Sequence, residues 1–399
     1  MWDVFAKREA KGMTTVVDFN AAKAQASARP PKTRFEALDI LRGLFMIGML
    51  LANNAGDWKH IWAPFDHAEW HGFTMTDMVF PGFMVCVGLS MSLSLGRRMS
   101  EGGKGRMALH ALRRAAVLVG IGLFLNLLPG FDFAHWRLPG VLQRIGVCYA
   151  IATGLLLLHS HRGTDGRLVV HPRALAAWAA GLLIAYGVLL RYVPVPGYGA
   201  GHFDAVMSWP AWVDRAVFGP DHVWREAKTY DPEGVLSTFP AVVNILIGLL
   251  VGLLIAAKTP ARSVGQVALI GLLLTVAGLA LDPVFPIIKK IWTPSFVLLT
   301  CGIACLMLSA LMLVMDRWGR KRWAMPIRVF GTNAILAYVF AWLLAIALDV
   351  TGVYRVATEW LLGVVGDPYA MSLAFAVLVL FVCWLFVLPF YLKKIFLKV

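Results

Sequence analysis

The sequence predicts an all-α polytopic membrane protein, with about ten transmembrane helices in one bundle and both termini cytoplasmic. Three observations carry that. Of the 399 residues, 59% are hydrophobic and only 15% charged, against about 25% charged in soluble domains. Mean hydropathy is +0.70. The apolar residues also fall in runs close to the ~20 that a helix needs to cross a bilayer. The net charge of +14 does not describe a nucleic-acid surface. Lys and Arg sit in short clusters between apolar runs rather than on one soluble face.

Spans are expected at 38–56, 76–95, 112–128, 140–159, 174–193, 235–257, 264–281, 293–315, 327–349 and 370–392. Gly and Pro inside them are tolerable in lipid. Sides follow from the basic residues. Loops on the side of the N terminus hold 26 Lys and Arg, and the alternating loops hold 9. Residues 1–33 read as a polar cytoplasmic arm, expected to be mobile. Residues 34–399 form the transmembrane domain, with one long external loop at 194–234. The opening MWDVFAKREAKG is not expected to be a signal peptide, because no apolar core follows its charges. No fixed-period repeat suggests a transporter of two equal halves.

All five cysteines, Cys86, Cys148, Cys301, Cys305 and Cys383, lie in apolar runs and are expected to act as small buried apolar groups. Cys301 and Cys305 share a helix face, but no His or carboxylate lies beside them. No metal or redox centre is expected there.

Most polar residues of interest fall at the external ends of spans. Asn53 and Asn54 close the first. His67, Trp70, His71 and Asp77 lead into the second. Gln143 and Arg144 lie just inside the fourth. The stretch DPEGVLSTFP, with Ser237 and Thr238, opens the sixth. FPIIKKIWTPSF, with Lys289, Lys290 and Trp292, opens the eighth. Polar groups at membrane depth are costly and usually face a cavity or a partner. If these five ends converge, they form one polar cavity.

His67 can exchange a proton near neutral pH; the alternative is an interfacial histidine with its tip in water. Asp77, at the edge of an apolar helix, wants a partner. Pro81, four residues on, leaves its carbonyl without a helical donor. As an orienter of a histidine, Asp77 would fix the tautomer and stabilise the imidazolium; the alternative is a helix cap. His67, His71 and Asp77 make a thin metal set, and no metal is expected. Asp231, Pro232 and Glu233 suit the start of a helix. Trp70 and Trp292 read as interfacial anchors with stacking on a sugar face as a second use. Lys289 and Lys290 would be solvated or bind phosphate, carboxylate or lipid headgroups. Arg144 needs a carboxylate, a carbonyl or an anionic ligand. On the cytoplasmic side, Asp39 and Arg42 share a helix face, as an ion pair or a binding pair. Asn333 and Tyr338 enter the ninth span.

Six motifs, in order, carry a family resemblance: RFEALDILRG, HAEWHGFTMTDMVFPGF, LPGVLQRIG, DPEGVLSTFPA, IIKKIWTPSFVL and GTNAILAYV. Together they resemble the heparan-α-glucosaminide N-acetyltransferase family, from about residue 34 to 392. Lysosomal members move an acetyl group from cytosolic acetyl-CoA to the terminal glucosamine of heparan sulfate in the lumen. The family's active histidine lies in a stretch resembling KHASWNG. It matches DHAEWHG here, which implies that His67 is the base. The family asparagine at the end of the preceding helix matches Asn53. A His stands where the family has the Asn after the Trp, and the lysosomal enzyme's large luminal domain has no counterpart, so a smaller, periplasmic amino sugar is expected.

The resemblance thus implies an acetyl-CoA-dependent N-acetyltransferase in a bacterial inner membrane, active site towards the periplasm, and a homodimer. His67 would take the proton of the acceptor amine, Asn53 would donate to the oxyanion, and Asp77 would hold His67. Asp39, Arg42, Trp70, Gln143, Arg144, Ser237, Thr238, Lys289, Lys290, Trp292 and Asn333 would line the paths of CoA and sugar. The rival class is a transporter for N-acetylglucosamine or a related amino sugar, which needs the same cavity but no base.

Overall fold

The computed structural model describes residues 35–163, 168–258 and 260–397; the arm 1–33 lies outside them. The chain forms α1 (Glu36–Ala52), a one-turn 3₁₀ segment at Thr76–Met78, α2 (Val79–Leu127), α3 (Val141–Leu158), a hairpin of β1 (Ser160–Arg162) and β2 (Leu168–Val170), and α4 (Pro172–Tyr192). Then come α5 (Trp209–Phe218), α6 (Val235–Ala257), α7 (Pro260–Leu281), α8 (Pro294–Met312), α9 (Met325–Thr332), α10 (Ala334–Val350), α11 (Val353–Val365) and α12 (Pro368–Leu392). The protein is an all-α polytopic membrane protein.

Among the described residues eight helical stretches are long and apolar enough to cross a membrane, and the pair α9 and α10, bent by 85°, has the form of a broken span or a re-entrant loop. The tenth expected span is α1. It has 17 residues, which at 1.5 Å per residue gives ~25 Å, the short end of what crosses a bilayer. α2 holds two spans, Thr76–Ser94 and Gly103–Leu127. Gly103, at φ 74, opens the second. That second span lies antiparallel to α3: Lys104 Nζ donates to the carbonyls of Leu157 and Ser160 at the far end of α3. At the other end, Asn126 Nδ2 donates to the carbonyls of Arg137 and Pro139, each at 2.9 Å, just ahead of α3.

α6 is the central helix. Its 23 residues include no charge, and almost all of its inner two thirds is buried. Without a hydrophobic drive between helices in lipid, close approach needs small residues. Gly248 and Gly252 of α6 face Gly88 and Ser92 of α2, both pairs four apart. A Cβ on Gly248 would collide with the Val85 carbonyl, and one on Gly88 with the Ile245 carbonyl. Gly248→Ile is therefore expected to leave little folded protein by thermal unfolding in detergent. Overpacking costs about 1–3 kcal/mol where side chains can yield, and here the obstacle is backbone. Gly265→Ala, which meets open space, should keep or slightly raise the melting temperature.

The end of the bundle near residue 36 holds the ion pairs of α1. Arg42 pairs with Asp39 at 2.5 Å. Glu36 meets Arg328 at 3.3 Å and Lys321 at 3.6 Å. Asn333 forms the corner between α9 and α10. It is buried, its Nδ2 donates to the Ile395 carbonyl (3.1 Å), and its Oδ1 accepts the Leu397 N–H (3.0 Å). Both polar ends are used to tie the bend to the final turn of the chain. Asn333 is thus a structural joint rather than an open binding group. The five cysteines are free and buried.

Loop 194–234 is pinned at several points. Trp209 Nε1 donates to the Val193 carbonyl (2.9 Å), and Leu138 N to the His222 carbonyl (3.0 Å). Asp214 of α5 accepts the N–H groups of Asp231 (3.0 Å) and Val235 (2.9 Å), which caps α6 from outside its own sequence. Burial pushes the Asp214 carboxyl up to about 6 despite those donors. Gly234 leaves the room: a Cβ there would strike the Asp214 carboxylate.

Candidate active site

The chain between α1 and α2 folds around one carboxylate. Asp77 sits in the 3₁₀ turn at the mouth of α2, fully buried. Its Oδ2 accepts the N–H of Thr74 (3.0 Å), the N–H of Ala68 (3.2 Å) and the Thr74 hydroxyl (3.1 Å). Its Oδ1 lies 2.8 Å from His67 Nδ1 and 3.4 Å from Lys289 Nζ. A buried carboxylate without partners would be costly; here the loop supplies all but Lys289. The His67 side chain, by contrast, is 41% exposed. It offers a ring to the outside while its other edge is held.

Lys289 Nζ also lies 2.8 Å from His67 Nδ1 and 3.1 Å from Nε2. One nitrogen cannot donate to Asp77 and accept from Lys289 in the same tautomer. The buried anion makes the stronger, charge-assisted bond, so Nδ1–H points to Asp77 and Nε2 carries the lone pair, beside Lys289 Nζ. That is the tautomer a general base needs. Burial lowers the pKa of Lys289, and the charges of Asp77 and Glu233 only partly oppose it.

Lys289 comes from the loop between α7 and α8. Trp292 anchors that loop in the left-handed region, at φ 55, a conformation that costs a large side chain on the order of 1–3 kcal/mol. Its ring is wholly buried, with Nε1 donating to Asn244 Oδ1 at 3.0 Å and edges against Phe80 and Phe296, both at 5.3 Å. The loop is braced by Ile288 N to Thr293 Oγ1 (3.1 Å), Ile287 N to Asp282 Oδ1 (2.8 Å) and Gly72 N to the Ile287 carbonyl (2.9 Å). The last of these stitches it to the His67 loop.

The other expected site residues divide. Trp292 is core, so the sugar-stacking role expected of it is ruled out by burial. Arg144 is buried over that ring, 4.9 Å from its centroid. Its Nη2 donates to the Gly234 carbonyl (3.0 Å) and to Ser237 Oγ, while Nε and Nη1 have no hydrogen-bond partner among the described residues. Thr238 Oγ1 donates to the same carbonyl at 2.8 Å. Gln143 Nε2 donates to the Leu138 carbonyl (3.2 Å). These residues brace the starts of α3 and α6. Asp39, Arg42 and Asn333 belong to the opposite half of the bundle.

Asn53 ends α1 with an exposed side chain, and its amide makes no hydrogen bond among the described residues. The described span ends group as an outer His67–Asp77–Lys289 cluster and a buried Arg144–Ser237 cluster, which adjoin through Trp292. His71 is exposed, and no group of three metal-binding side chains exists among the described residues.

Three features escaped the sequence. A second His–Asp pair joins His60 Nδ1 to Asp57 Oδ2 at 2.6 Å. It borders a small surface groove between Leu51, Phe65, Tyr369 and Ser372. Both members of that pair are about a third exposed and so screened by water, which makes it the weaker candidate. Trp224 and Tyr230 pack beside Trp70. Arg137 holds two acids, Asp231 and Glu233; the pairing of LPG's preceding arginine with DPE was a signal open to reading.

The architecture is thus that of a helical membrane protein with a histidine, a buried aspartate and a lysine gathered at one end. Residues 34–189 match the family model described as heparan-alpha-glucosaminide N-acetyltransferase, catalytic, and His67 and Asp77 fall within the match. Two curated relatives, both named heparan-alpha-glucosaminide N-acetyltransferase, are similar over most of this chain. The one from Homo sapiens is 29% identical over 371 residues, covering 81% of this chain and 54% of the relative. The one from Mus musculus is 27% identical over 357 residues, covering 78% and 54%. The chain spans about half the length of these relatives.

Proposed function

We propose that the chain is a transmembrane N-acetyltransferase that passes an acetyl group from acetyl-CoA to the amine of an amino sugar. The observation that carries this is His67, held by buried Asp77 and touched by Lys289, inside the stretch that matches an acetyltransferase catalytic region. His67 Nε2 takes a proton as the amine attacks the thioester carbonyl. The C–N bond forms, the C–S bond breaks, and the proton passes to the departing thiolate. Lys289 stands beside Nε2, where its ammonium would stabilise the oxyanion; a donor so placed contributes about 3 kcal/mol. Asn53 remains the neutral donor that the resemblance implies.

For the donor, the basic residues around Lys104, Arg106 and Arg113 would take the nucleotide on the opposite face. Nε and Nη1 of Arg144, unpartnered among the described residues, are the donors we assign to the carbonyls of its pantetheine arm. A homodimer in a bacterial inner membrane, with His67 towards the periplasm, belongs to the same proposal.

The test uses sealed vesicles holding the protein, acetyl-CoA on the nucleotide side and glucosamine on the His67 side. N-acetylglucosamine should form on the glucosamine side only. Accumulation of externally added N-acetylglucosamine inside vesicles, with its acetyl group intact and no transfer, would replace this reading with a transporter.

A further inference from the structure

We infer that Trp70 and Trp224 form the acceptor's platform, presenting indole faces to the pyranose ring of an amino sugar, with Lys290 between them donating to its hydroxyls. This rests on the proposed acetyl transfer and adds where, and by what chemistry, the sugar is held.

Trp70 lies three residues after His67. Its Nε1 donates to the Phe203 carbonyl at 2.8 Å, so the polar handle is spent and the ring is fixed to the outer loop. Tyr230 meets it edge-on, with centroids 5.1 Å apart at 87°, and meets Trp224 at 6.2 Å and 72°. The two indoles flank a single ammonium: Lys290 Nζ is 5.8 Å from the Trp70 centroid and 5.7 Å from that of Trp224. Both lie within cation–π range. Trp70, Trp224 and Lys290 are each only half-buried, which leaves part of each side chain open to solvent, unlike Trp292.

The neighbouring residue, Lys289, touches the base. The platform and the base are therefore adjacent through one peptide unit. Aromatic walls with a few fixed polar groups suit a ligand with one apolar face and a hydroxylated rim, which describes a pyranose. A pocket for a plain alkylamine would need no paired indoles and no donor for hydroxyl groups. Glu226 is exposed on the same rim and acts on Lys290 electrostatically; it supplies an acceptor for the hydroxyls.

The experiment is saturation-transfer NMR of glucosamine on detergent-solubilised, donor-free protein, run beside acceptor kinetics. Wild type and Trp224→Phe should saturate ring protons of one glucosamine face. Trp224→Leu should lose most of that signal and raise the glucosamine KM by roughly tenfold with kcat within about threefold, the mark of lost ground-state binding. Lys290→Gln, which leaves the aromatic packing intact, should raise KM in the same sense and covers the case in which Trp224→Leu fails to fold. n-Butylamine should show no Trp224-dependent saturation. Acetyl transfer with a KM indifferent to both Trp224→Leu and Lys290→Gln, or to Lys290→Gln alone if the former does not fold, would remove the platform and leave the enzyme. Trp224-dependent saturation without any acetyl transfer would keep the platform and remove the enzyme. Absence of both would remove both.

Discussion

His67→Ala is expected to lower acetyl transfer by about 10²- to 10⁴-fold, the usual cost of losing a general base, with the thermal unfolding of the protein nearly unchanged. The two halves of that expectation have separate causes. The His67 ring is 41% exposed, so truncation opens no cavity. Asp77 keeps its three donors from Ala68 and Thr74, and Lys289 remains at 3.4 Å, so no buried carboxylate is orphaned. Rate should fall without stability falling. His60→Ala and His71→Ala should leave the rate within a few-fold. A His67→Ala protein with near-normal transfer, beside a dead His60→Ala, would move the base to the other His–Asp pair.

The companion change, Asp77→Asn, carries a pH signature. Burial depresses the Lys289 pKa, and the charge of Asp77 is the main force opposing it. Without that charge the ammonium releases its proton at lower pH. If the ammonium supports the reaction, the alkaline limb of the rate profile should shift downwards in pH, on top of a lower maximum rate.

Arg137→Met should destabilise the fold by about 3–5 kcal/mol, the range for breaking a buried pair from one side. Arg137 Nε and Nη2 grip the two oxygens of Asp231 at 2.8 and 2.7 Å, and Nη2 also meets Glu233 at 2.6 Å. Burial alone would lower the Arg137 pKa; the two acids more than offset it and raise it above the usual value. The Asp231 side chain has no exposed surface. Losing the arginine would leave an anion in the protein interior at the start of the central helix. Denaturant unfolding in a mild detergent measures it, and Arg137→Met combined with Asp231→Asn should recover part of the loss. A cost below about 1 kcal/mol would mean a pair no better than a surface one.

The sequence made the helices legible because lipid imposes a length and a composition on each one. The expected spans 76–95, 140–159 and 235–257 lie within a residue or so of Thr76–Ser94, Val141–Leu158 and Val235–Ala257. It also marked Asp77 as a carboxylate needing a partner and His67 as the group it would hold. It could not say that Lys289 joins them, since 222 positions separate His67 from Lys289. The misreadings have the same origin. Trp292 sits at the end of a span, where tryptophan ordinarily meets the interface, and only the surrounding helices bury it. Asn333 looked like a polar group entering a helix; the missing information was a bend of 85° and a chain end folded against it. Arg137 read as one more loop cation because its acids are 94 and 96 positions away.

The left-handed Trp292 has a consequence for how a substrate is received. Its buried ring, the Thr293 and Asp282 braces and the Gly72 stitch hold Lys289 and Lys290 in place through the protein's own contacts. Fixing a residue's backbone costs on the order of 1–2 kcal/mol of conformational entropy, and in this loop that loss belongs to folding rather than to association. An acceptor arriving at His67 meets a frame already set, so its affinity is not diminished by a loop that must first be ordered. Amide hydrogen exchange through residues 287–293 should then be slow in the free protein and change little when glucosamine is added.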